Sequence, residues 1–171
     1  MSTTATTTIE SIVPAARLMQ GYAKMLVDDI PADRFHEMPH PTMNHPAFCL
    51  GHLAIYPNRV LEMIGKPELV DDKDGFDELF AAGVECAPNT GQYPDKDTVV
   101  DFFMDRHEVL INALSDLDES VFQQENPREG RFREMCPTVG AAINFLLTAH
   151  VGTHLGQISA WRRAVGMPSA M

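Results

Sequence analysis

The sequence predicts an all-α protein, a four-helix bundle with a long connection between its second and third helices. Three observations point there. Residues 9–29, 46–64, 97–117 and 138–167 repeat apolar side chains every three or four positions, the period of an amphipathic helix. No segment alternates apolar and polar residues as a half-buried strand would, and there is no internal repeat or low-complexity tract. Glycine and proline gather between the four stretches, where helices should stop. The 171 residues are expected to form one domain, long enough to bury a core without disulfide or zinc staples.

Taken in order, residues 1–8 are polar and threonine-rich, and fraying is expected there. The first helix, 9–29, runs through Ile12, Leu18, Met19, Tyr22, Met25 and Leu26 and ends at Pro31. Pro14 fits only in its first turn and otherwise kinks it. Residues 31–45, with three prolines, read as an irregular connector. They hold His36 and His40 four apart, but Pro39 between them rules against a shared helical face. The second helix, 46–64, starts with Pro46 at its first position and stops at Gly65 and Pro67, with a bend expected at Pro57.

Residues 66–94 are long for a connection in a compact domain, which marks them as functional or as a small packed layer, with a short helix over 77–82. The third helix, 97–117, follows the period of Val99, Phe103, His107, Leu110, Ile111 and Leu114. A turn over 118–124 and a polar loop over 124–136 lead into the last helix, 138–167. Thr138 is a good N-cap, Gly166 and Pro168 are the stop, and Arg162 and Arg163 suit the negative end of the macrodipole.

That last helix carries the chemistry. Steps of three and four from Ile143 give Leu147, His150, His154, Ile158, Trp161 and Val165, so two imidazoles lie one turn apart in the inward stripe. His52 shares a face of the second helix with Phe48, Ile55 and Arg59. Buried imidazoles without partners are costly, so this set is read either as three ligands on one divalent metal or as core histidines bonded to the backbone. Gln157, one turn beyond His154, is a candidate to support that histidine, and Arg59 a candidate to hold a substrate carboxylate. Cys49, three before His52, reads as a core thiol; His107 reads as core or surface and His45 as a loop residue near the bundle mouth. Gly152, Gly156 and Ala160 form a small-residue row that calls for close approach of another helix, in the same chain or in a second subunit.

The net charge of −11 argues against nucleic acid or an anionic membrane as partner. Three scattered cysteines make neither a disulfide framework nor a zinc pattern, and no apolar run approaches a membrane span. The start, MSTTATTTIES, lacks the pattern of a secretory signal, so a cytoplasmic protein is expected.

Two segments, NHPAFCLGHLAIYPNRV and AHVGTHLGQISAWRRAVGMP, resemble the signature segments of the DinB-like (DinB/YfiT-like) metalloenzyme superfamily. The likeness lies in His52 beside Gly51 after a short apolar run, and in the HxxxH pair followed by Leu155, Gly156, Gln157 and Ile158. The resemblance implies a metal site at His52, His150 and His154 holding a divalent ion, nickel or zinc foremost, in a protein that is often a homodimer. It further implies a metal-dependent enzyme acting on a small-molecule substrate, in particular a thiol-dependent S-transferase using a low-molecular-weight thiol. The alternative is a non-catalytic metal-binding or stress-related interaction protein; no general base beside the three histidines is evident in the sequence.

Overall fold

The computed structural model describes residues 7–170. Among them the only regular structure is helical, apart from one isolated bridge between Glu125 and Thr138. The four predicted stretches are all present, two of them interrupted. The first is α1 (Thr8–Val27), started by a reciprocal cap: the Thr7 hydroxyl accepts from the Glu10 N–H at 3.2 Å, and the Glu10 carboxylate accepts from the Thr7 N–H at 2.8 Å. Thr7 and Thr8 are therefore ordered rather than frayed; residues 1–6, also expected to fray, lie outside the described residues. Pro14 sits inside α1, beyond its first turn.

The second stretch divides into α2 (Pro46–Ala54) and α3 (Tyr56–Met63). Pro57 has no N–H to give to the turn before it, so the expected bend is realised as a break at Ile55. The connector after it is a packed layer whose short helix, α4 (Phe76–Phe80), lies on α2 and buries Phe80 against Phe48 and Phe76 against Phe102. The third stretch, α5 (Lys96–Ser115), starts where the Asp95 carboxylate accepts from the Thr98 N–H at 2.7 Å. It packs on α1, α2 and α3. After α6 (Glu119–Phe122), the segment expected to be loop holds a further short helix, α7 (Arg131–Met135). The fully buried Asn126 closes this segment, donating to the Cys136 carbonyl at 2.8 Å while its own N–H bonds Pro137 O at 2.9 Å.

The last stretch is not one uniform helix. α8 (Val139–Asn144), capped by Thr138 as expected, passes through a π turn at Phe145–Ala149 into α9 (His150–Ala164). Gly166 takes φ +76°, and the Met167 N–H returns to Arg162 O at 2.8 Å, a left-handed stop that only glycine adopts cheaply. Of the predicted inward stripe, Ile143, Leu147, Ile158 and Trp161 are buried and His150, His154 and Val165 half-buried, and Leu146, Val151, Leu155 and Arg162 widen the buried face.

Arg162 lies in the last turn of α9 as expected and has a further role there. It is 2% exposed and, besides any macrodipole effect, its guanidinium grips the Asp29 carboxylate through both nitrogens and donates to Leu26 O at 2.9 Å and Pro168 O at 2.9 Å. The end of α1, the end of α9 and the C-terminal tail are joined by one side chain. The planar fork serves several acceptors at once, which an ammonium cannot reproduce. Arg162→Lys should therefore lower unfolding free energy by about 2 kcal/mol in urea titration, despite keeping the charge.

Candidate metal centre

The core forms two apolar clusters, and three histidines stand where they meet. His52 lies on α2 between Leu50 and Leu53 of one cluster; His150 lies between Leu147 of the other and Val151 of the first. His150 and His154 have ring centroids 4.9 Å apart, and His52 stands 5.1 Å from the first and 4.7 Å from the second. One nitrogen can be taken from each ring so that all three lie within 4.8 Å of one another.

Each ring is aimed by an identifiable contact. The Nδ1–H of His52 donates to the Phe80 carbonyl at 2.6 Å. A carbonyl only accepts, so the proton is on Nδ1 and the lone pair on Nε2. That Nε2 is 3.1 Å from Nε2 of His150. His154 repeats the logic with Gln157, whose Oε1 accepts from His154 Nδ1 at 2.9 Å and takes longer bonds of 3.4 Å from Asn44 Nδ2 and the Cys49 thiol. His150 is held differently: its Nδ1 is buried with no hydrogen-bond partner among the described residues. Its backbone N–H bonds Phe145 O, five residues back. Residues five apart diverge by about 140° on an α-helix. The wider π turn lets the Phe145 ring stack on His150, centroids 5.8 Å apart at 22°.

Phe80 comes this close to α2 because residue 51 has no side chain. A Cβ on Gly51 would lie 2.6 Å from the Phe80 ring. The two-residue unit Gly51–His52 thus accepts the α4 layer and takes its carbonyl.

Burial is the main reason all three imidazoles are driven below the usual histidine range, His150 to about 3 with its two neighbours adding to the effect. They are neutral at pH 7, the form in which imidazole binds a metal. The set fits a divalent ion on its own chemistry. Metal–nitrogen bonds of 2.0–2.1 Å place neighbouring nitrogens about 3.0–3.4 Å apart, and His52 and His150 already have that spacing. His150 also lines a cleft of ≈ 350 Å³ with Tyr56, Met63, Phe132, Phe145 and Leu146, rimmed by Arg59, Arg128 and Glu129.

The sequence pattern of the DinB superfamily matches residues 16–158. The chain belongs to the DinB superfamily. A comparison with curated proteins finds no match.

Within this DinB-superfamily protein, His52, His150 and His154 come together as the sequence suggested. Gln157 contacts His154 directly. Arg59 reaches the cleft rim, pairs with Asp77 at 2.8 Å and lies 5.1 Å over the Tyr56 ring. Cys49 is fully buried, and burial pushes its thiol far above the usual range, so it is a core thiol. His107 is core, its Nδ1 bonded to Phe103 O at 2.9 Å. His45 lies just before α2 as expected and is its fully buried N-cap, its Nδ1 accepting from the Phe48 N–H at 3.0 Å. His36 bonds Pro94 O at 2.8 Å and His40 bonds Thr42, so that pair shares nothing. Among the described residues the two glycines of the small-residue row meet no close partner: a side chain at Gly156 would meet nothing within 4 Å, and one at Gly152 only Met19 Sδ at 3.9 Å. The glycines that close contacts require are Gly51 and Gly140, the latter against Phe122.

Sequence reasoning missed Tyr56, Phe80, Arg128 and Phe145. Tyr56 touches His52 and His150 with ring centroids at 5.0 and 4.7 Å, and its helical spacing of four from His52 was the available signal. Phe80 acts through its carbonyl, which no residue pattern reports.

His107 and His45 have folded pKa values near 4 against an ordinary 6.5, burial being the first cause in both. Between those values the unfolded chain binds protons that the native chain refuses. Their stability contribution is therefore full above about pH 6.5 and drains away as pH falls toward 4. Urea unfolding at pH 7.5, 6 and 5 should show that decline, with a shallower slope in His107→Leu.

Proposed function

We propose that this chain is a divalent-metal-dependent enzyme whose ion is held by His52, His150 and His154, with nickel or zinc as the ion and S-transfer with a low-molecular-weight thiol as the reaction. One observation carries the reading. The Nδ1 protons of His52 and His154 are committed to Phe80 O and Gln157 Oε1, which leaves two Nε2 lone pairs close to the third ring for a shared cation. Imidazole donors suit both named ions. Bound there, a divalent cation lowers the pKa of a coordinated thiol or water and so supplies a nucleophile at neutral pH.

The chain's own residues do the rest. Cys49 stays protonated and bonded to Gln157, so the thiol used is external. Gln157 and Phe80 hold two of the imidazoles in one tautomer, which keeps their outer nitrogens unprotonated toward the centre. Burial raises the Tyr56 pKa, so it remains a phenol at neutral pH and can donate a hydrogen bond within the cleft. Leu146, Phe145 and Phe132 give the substrate side of His150 an apolar wall. Arg59 is the residue for a substrate carboxylate. We also infer a homodimer through the Gly152, Gly156 and Ala160 row, which sedimentation would report as twice 19.0 kDa.

Elemental analysis tests the site. The purified protein should carry close to one equivalent of nickel or zinc, lost in His52→Ala, His150→Ala and His154→Ala, while Gln157→Leu should weaken affinity about 10–100-fold. Absence of uptake from added nickel and zinc would sink the proposal. A full site with no turnover of any thiol and electrophile would leave a non-catalytic metal-binding protein.

A further inference from the structure

The cleft beside His150 has a composition unlike the rest of the acidic surface. Its walls are Tyr56, Met63, Phe132, Phe145 and Leu146, and its volume of ≈ 350 Å³ is that of a small-ligand pocket. Two guanidinium groups reach its rim from different parts of the chain: Arg59 from α3, and Arg128 from the segment that Asn126 closes. Asn126 Oδ1 accepts from the Arg128 N–H at 3.0 Å, so a fully buried side chain fixes the backbone that presents this arginine.

The present partners of both arginines are replaceable. Arg59 pairs with Asp77 at 2.8 Å and Arg128 with Glu62 at 3.7 Å, and those carboxylates are 64% and 58% exposed. Pairs that open to water contribute little, and an incoming carboxylate can take their place. Arg59 and Arg128 also line the adjoining polar depression with Asp72, Asp77 and Glu62, so both guanidinium groups stand at the border between it and the apolar walls. Glu129 is the acid on the cleft itself.

We propose that this cleft binds an apolar-bodied monocarboxylate, its hydrocarbon or aryl part lying on Phe132, Phe145 and Leu146 and its carboxylate taken by Arg59 and Arg128. As the electrophilic substrate's site, this rests on the reading of the three histidines as the metal centre; as a binding site, it rests on the cleft alone. Glu129 opposes such a ligand locally, and the rest of the chain's net charge of −11 acts at longer range, where physiological salt screens it. The Phe145 ring stacked on His150 is the floor shared by the pocket and the histidine set, so a ligand held there lies against His150.

Calorimetric titration with 3-phenylpropanoate, its neutral amide, 3-phenylpropylamine and inorganic phosphate tests this, on chelator-stripped and zinc-loaded protein. The acid should bind at least about tenfold tighter than the amide, and Arg59→Gln and Arg128→Gln should each remove about that factor for the acid alone. Phe145→Ala should weaken acid and amide together, and Glu129→Gln should tighten the acid; circular dichroism should match wild type in every variant. Equal binding of acid and amide, tighter binding of the amine, or phosphate binding as well as the acid would each overturn the proposal. Arginine-dependent binding of the acid to stripped protein would uphold the subsite whatever metal analysis says of the histidines. Binding seen only in zinc-loaded protein and indifferent to both arginines would put the carboxylate on the metal, overturning the subsite and not the metal centre.

Discussion

The bond from the Nδ1–H of His52 to the Phe80 carbonyl is the contact on which the candidate site depends. It sets the tautomer of the ring that faces both other histidines, and it does so with a group from the connector rather than from the long helices. The bond needs Phe80 to lie on α2, and Phe80 lies there because Gly51 offers no Cβ to collide with its ring. Phe80 is in turn held from its other side by Phe76 and by Tyr93, whose ring stacks on it at 5.8 Å. A connection that could have been a solvated loop is instead part of the machinery that points one imidazole.

The π turn is the second such device. An uninterrupted α-helix from Thr138 would keep His150 and His154 on one face but would send Phe145 elsewhere. One wider turn immediately before His150 brings Phe145 over that ring and into the cleft wall, while α8 stays capped and packed. Helices tolerate such turns at some cost, and they recur where function needs a side chain re-aimed. Here the re-aimed side chain joins an apolar cleft to a partly buried set of nitrogen donors.

Arg162 and Asn126 show how buried polar residues organise the same molecule away from its chemistry. Each is almost fully enclosed, and no buried side-chain nitrogen or oxygen of either is left without a hydrogen-bond partner. Burying such groups is tolerated only when they are partnered in this way. Arg162 locks the ends of α1 and α9, and Asn126 shapes the segment that brings Arg128 and Phe132 to the cleft.

The sequence by itself determined the all-α class, the positions of the four helical stretches, the Thr138 cap, the stops at Gly65 and Gly166, and the pairing of His150 with His154 on one helical face. These are local properties: a 3.6-residue period, a Thr or Asp before it and a glycine after it act within a few residues, and His150 and His154 share a face by helical geometry alone. The break at Ile55 was legible for the same reason, because Pro57 lacks an N–H wherever the chain folds. Joining His52 to the other two needed more than spacing, and came from the likeness of the two motif segments to a family. What only the tertiary structure decided depends on partners far along the chain. Nothing near Gly51 names Phe80, nothing near Arg59 names Arg128, and Arg162 reads as a helix-end cation until Asp29, 133 residues away, comes against it. The π turn escaped as well, since its apolar residues suit an α-helix equally and the choice is made by what Phe145 and His150 pack against. Backbone carbonyls and distant guanidinium groups leave no period in a sequence; they become neighbours only when the core closes.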